Sequence, residues 1–182
     1  MPITLTRSLL TILVPGLVAT APWLVWLVQH TTATLGADKN ATLANAFIFA
    51  LVAVVGSVCE GLGTYLEYRW DDQLEAEHQV QEHWIRYLKF DGAREPVAFR
   101  YLSRLVTTMY FELSMLFAVP SFIFGSTLLA VLRFPTHVIA LTIAGALLSA
   151  FATWYFHHQG KQTHAGICKV RKAIDLPAKP AS

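Results

Sequence analysis

Charge and cysteine are both scarce in this chain. Of its 182 residues only 14% are Asp, Glu, Lys or Arg, against about 25% in a typical soluble domain, so the composition argues against an ordinary water-soluble fold. Two cysteines are too few for a disulfide scaffold, and ten glycines are too few for collagen. The high apolar content also argues against a disordered tail.

Motifs that carry chemistry are missing as well. There is no nucleophile elbow, Walker loop, glycine-rich dinucleotide fingerprint or Cys-x-x-Cys pair. Gly61-Leu62-Gly63 lies within an apolar run and reads as a helix-packing feature. The net charge of +2 comes without a concentrated aromatic and basic surface, so no nucleic-acid partner is expected. No catalytic residue, cofactor or metal ligand is assigned from the sequence.

What the chain does have is apolar length: 54% of it is hydrophobic and the mean hydropathy is +0.46. A helix crossing the hydrocarbon core needs roughly 20 mostly apolar residues. Four segments qualify, at about 9–28, 43–66, 105–132 and 138–156. The first mimics a secretory signal, with Arg7 before the run and Ala19-Thr20-Ala21 as a cleavage-like pattern. Pro22 after that pattern, and the run continuing through Val28, favour a retained span. The expected fold is therefore all-α: a polytopic membrane protein with four transmembrane helices in a single membrane domain.

Orientation follows from the bases. Arg7, the six Lys and Arg from Arg69 to Arg104, and the five from Lys161 to Lys179 put twelve of the fourteen on one side, leaving Lys39 and Arg133 on the other. The positive-inside rule then makes both termini cytoplasmic, in a multi-pass protein of the bacterial inner or plasma membrane type. Cys59 falls within a span and Cys168 in the tail, so no structural disulfide is expected. Asn40-Ala41-Thr42 is a formal glycosylation sequon on the outer side, but it lies against a span and no glycan is expected there.

The extramembrane mass is then cytoplasmic: residues 68–104, read as a helical hairpin or interfacial segment, and a basic tail, 157–182. At about 100° per residue Glu60, Glu67, Asp71, His78 and Glu82 fall within roughly 60° of one face. Asp71, Glu75, His78 and Glu82 form an acidic stripe for docking a partner. A bend near Asp71 and Asp72, with Trp70, Trp84 and Tyr87 as interface anchors, would lay the first arm along the membrane. Asp91-Gly92 marks the turn and Pro96 the first turn of the returning helix. Lys161, Lys169, Arg171 and Lys172 in the tail suit anionic lipid or docking onto the acidic stripe.

Glu60 and Glu112 are ionisable residues within spans, which are costly there and usually face protein or a wet cavity. If spans two and three pack antiparallel with ends aligned, Glu112 lies opposite Leu62 or Gly63, within roughly 4 Å in depth of Glu60. Glu67 lies about as far on the other side. Three carboxylates so placed share too much like charge and too little water for all to stay ionised. Such a cluster serves as an ion or proton site, or as hydrogen-bonded packing between helices. Arg104 is the expected ion-pair partner for Glu67 or Asp71. Gly56, Gly61 and Gly63 would let a neighbouring helix come close, and Pro15, Pro22 and Pro120 would tend to kink their spans.

The function these features suggest is a non-enzymatic integral membrane subunit, a homo-oligomer or part of a membrane complex. Its cytoplasmic segments would receive a soluble protein or signal, and it would permeabilise the membrane or conduct ions past the carboxylates as a channel. The alternatives are a purely structural membrane anchor or scaffold for a cytosolic protein, and a membrane-embedded metal enzyme. The last rests on one Glu-x-x-His spacing, Glu75 to His78, with His157, His158 and His164 as further nitrogen donors; di-iron bundles use two such motifs.

Overall fold

The computed structural model describes residues 9–31, 41–78 and 97–175, and these are helical throughout except at Phe134. A π turn, Leu9–Leu13, leads into α1 (Val14–Thr31), followed by α2 (Ala41–His78) and α3 (Val97–Arg133). A short 3-10 turn, Pro135–His137, then joins α3 to α4 (Val138–Asp175). All four helices are long and apolar enough to cross a membrane. Glu82, Trp84, Tyr87, the Asp91-Gly92 turn, Pro96, Asn40 and the end of the tail from 176 lie outside the described residues.

Local chemistry accounts for the irregular start. Pro15 has no N–H to offer the Thr11 carbonyl four residues back, and its ring crowds that oxygen. The wider π turn sits directly before it. Pro22 and Pro120, by contrast, lie inside helices that continue through them. The Pro22 ring rests on Gly125 of α3, where an added Cβ would come within 2.9 Å of the proline's own Cβ.

Among the described residues α3 is the hub, packed along α1, α2 and α4. Glycines set the closest crossings. An added Cβ on Gly16 would collide with the Val52 carbonyl, and one on Gly56 with the Ile12 carbonyl, so α1 and α2 meet backbone to backbone. Gly63 lies against Leu113, one residue from the expected register, with 2.8 Å between a built Cβ and that of Leu113. Gly61 faces open space, so of the three glycines expected at helix contacts two take that role.

α2, α3 and α4 are 38, 37 and 38 residues long, or about 55 Å each, against about 30 Å of hydrocarbon. Gly63 and Gly160 both contact Leu113 and so mark one level across the three helices. That level lies about 33 Å along α4 from Val138, at the usual helical rise. Beyond it each of the three helices runs on for about 22 Å. The larger apolar core, Trp70, Leu102, Met109, Leu113 and Ile167, begins at this level and fills the extension. The smaller one, Ala19, Cys59 and Ala118, lies on the side toward the Pro135–His137 turn.

Two expectations are revised here. Trp70 is no surface anchor: it is 6% exposed and packs edge-on against His157 and His164. α2 accordingly does not turn away at Asp71 but stays against α4 there, because Trp70 and Asp71 both find partners on α4. The basic segment from His157 continues α4 without a break as far as Asp175.

Candidate functional site

The three carboxylates singled out in the sequence sit near the common level of Gly63, Leu113 and Gly160, and each has its own partner. Thr11 Oγ1, in the π turn, donates to Glu60 Oε1 at 3.2 Å, tying the start of the chain to α2. Thr163 Oγ1 donates to Glu112 Oε2 at 2.7 Å, tying α3 to α4. Glu67 accepts a hydrogen bond from Tyr110 and has Asp71, His164 and Arg171 within electrostatic range. The fold therefore distributes the acids over three helix pairings, and each carboxylate oxygen that accepts a hydroxyl proton joins two helices.

Below that level α2 and α4 share a polar cluster. His164 Nε2 lies 2.7 Å from Asp71 Oδ1, with His164 only 3% exposed and Asp71 30% exposed at its side chain. The Trp70 ring covers the histidine at 5.8 Å, and Arg171 is buried two turns further along α4. His164, in the segment read as a basic tail, thus meets Asp71, one residue of the stripe read as acidic. The cation brought toward Glu67 is Arg171 on α4, while Arg104, expected in that role, is exposed on α3.

Other sequence candidates are spread out. Lys161, Lys169 and Lys172 are exposed on α4. Glu75 and His78 belong to α2, their side chains outside the described set, and Glu82 lies beyond it. Among the described residues no three His, Cys, Asp or Glu come together as a metal-ligand set. An open groove of about 320 Å³ between α3 and α4, lined by Phe124, Thr127, Val131, Thr142, Gly145 and Ser149, lies near the Pro135–His137 turn and away from the acids.

Thr11, Thr163, His164 and Gly160 were not singled out as partners of these acids by sequence reasoning. A signal for part of this was present: Gly160, His164, Ile167 and Arg171 recur at helical spacing and share one face of α4. That face is the one buried against α2 and α3. The chain matches no protein-family model, no curated protein and no solved structure.

Proposed function

We propose that the chain is a non-enzymatic integral membrane subunit with four spans and both termini in the cytoplasm. In this reading α2, α3 and α4 carry a signal or load between a cytoplasmic three-helix stub and the bilayer. The observation that carries it is continuity: three helices pass from the apolar level to the polar cluster without a break. A partner that tilts the stub displaces the spans with it, because a packed helix transmits movement as a rigid element. The stub and the segment after α2 form the surface for a soluble protein, and the apolar outer faces of the spans meet lipid or neighbouring copies.

The carboxylates then act as clamps. Each Glu–Thr bond satisfies a polar group that would otherwise be stranded near hydrocarbon, and it fixes which helix lies beside which. A second reading, ion passage at the acid level of an oligomer, is favoured by the π turn that presents Thr11 to Glu60, since such turns are frequent at functional sites.

Proteoliposomes containing the purified protein separate the two. The clamp reading predicts no steady ion flux from wild type. It also predicts that Glu60→Gln and Glu112→Gln alter thermal stability in detergent without opening a leak. Wild-type flux that either substitution abolishes would contradict it and establish the conduction reading.

A further inference from the structure

One outward face of α4 is ordered like a lipid. At about 100° per residue Ile143, Leu147, Phe151, Trp154, His158 and Lys161 fall within roughly 80° of one another, and all six are exposed. The first three are large and apolar, the fourth is amphipathic and the last two are basic. Trp154 is 61% exposed and its ring lies parallel to that of His158, 5.8 Å away and tilted by 7°. The Gln162 amide, 2.9 Å from His158 Nε2, holds the imidazole in that stack.

Among the described residues, no acid pairs with the charge on this face. From Val138 to Lys172 α4 contains no Asp or Glu. The inward basic residues have acids around them, His164 on Asp71 and Arg171 near Glu67, whereas Lys161 is exposed and forms no ion pair among the described residues. Depth agrees with the chemistry. Trp154 lies about 24 Å along α4 from Val138 and Lys161 about 35 Å, which brackets the far edge of a hydrocarbon layer of about 30 Å. On α2 the Arg69 guanidinium lies 5.9 Å over the ring of exposed Tyr65, two residues past Gly63, placing a second cation and aromatic pair near the same level.

We infer that this face of α4 is a binding site for an anionic phospholipid of the cytoplasmic leaflet. Lys161 and His158 hold the headgroup phosphate, Trp154 lies at the ester level, and the acyl chain follows Phe151, Leu147 and Ile143. Lys169 and Lys172, on the same face but about 12 Å or more beyond Lys161, lie past the headgroups and do not contribute. The site rests on the membrane-spanning reading above.

The test uses the full chain in phosphatidylcholine vesicles containing spin-labelled phosphatidylglycerol or spin-labelled phosphatidylcholine, with electron paramagnetic resonance reporting the lipid held at the protein surface. Wild type is expected to prefer phosphatidylglycerol by about fivefold, the scale of one basic residue near an anionic surface. The pair Lys161→Gln and His158→Gln removes the preference, while Lys172→Gln keeps it. Inorganic phosphate in excess leaves the bound lipid in place, since the acyl contacts are part of the site. Absence of a preference in wild type, its survival in the double variant, an equal loss with Lys172→Gln, or displacement by inorganic phosphate would each overturn the inference. A protein that fails to enter vesicles at all would overturn the membrane reading itself, an outcome that incorporation assays detect separately.

Discussion

At the residue scale, what decides this bundle is which small side chains stand where helices meet. Gly56 and Gly61 are five residues apart on one helix, yet only Gly56 has another backbone against it, that of Ile12 in the π turn leading into α1. Gly56→Ala should push α1 away from α2 and destabilise the protein by about 1–3 kcal/mol, the usual scale of overpacking. Gly61→Ala should be neutral or slightly stabilising, because alanine favours the helix and its methyl enters open space. Thermal unfolding of both variants in one detergent checks the contrast, and equal behaviour would show that the crossing is not at Gly56. The acids obey the same logic of position. Glu60 and Glu112 were recognisable from the cost of an ionisable group in an apolar run, but their threonine partners were not. Thr11 and Thr163 are each about fifty positions away in the chain, and threonine is ordinary in such segments.

At the element scale, α4 departs furthest from its expected form. The run 138–156 was legible as a span from hydropathy, and the bases after it as a tail. That these residues remain helical to Asp175 was encoded in a weaker signal, the inward stripe of Gly160, His164, Ile167 and Arg171, which mixes a small, two polar and one apolar residue. A hydropathy scan passes over such a face because only Ile167 is strongly apolar. Once the extension is helical, His164 meets Asp71 and the helix is fastened to α2. His164→Ala should cost about 1–3 kcal/mol by leaving the Asp71 carboxylate without that partner. Against Asp71→Asn, a double-mutant cycle should give a coupling energy of at least about 0.5 kcal/mol, as expected for groups in contact. Additive effects of the two substitutions in chemical denaturation would show that the pair does not hold the helices together.

At the scale of the whole molecule, the membrane-spanning reading proposed above gives the two cores different solvents. Between helices in hydrocarbon there is no hydrophobic gain from packing, so small residues and hydrogen bonds do the work, and Ala19, Cys59 and Ala118 fit that setting. In the stub, the same reading makes burial from water the driving force, worth about 1.5–3 kcal/mol for each large apolar side chain. There the core is built of Trp70, Leu102, Met109, Leu113 and Ile167. The four long apolar helices were legible from segment length alone. The boundary between the two regimes was not, because it depends on which residues of different helices share a level. Met109→Ala, in the stub, should therefore destabilise strongly, by about 2–5 kcal/mol, while Val54→Ala on the exposed face of α2 should have little effect in thermal unfolding.

The central claim is that one level across the bundle divides membrane from stub. Nitroxide labels at the exposed positions Leu147, Lys161 and Lys172 of α4, in proteoliposomes, measure it directly through relaxation by oxygen, which concentrates in hydrocarbon, and by a nickel chelate, which stays in water. The account predicts oxygen dominance at Leu147, comparable exposure to both at Lys161 and chelate dominance at Lys172. Chelate reaching Leu147 as freely as Lys172 would contradict it, and would make the chain a helical bundle that lies outside the bilayer.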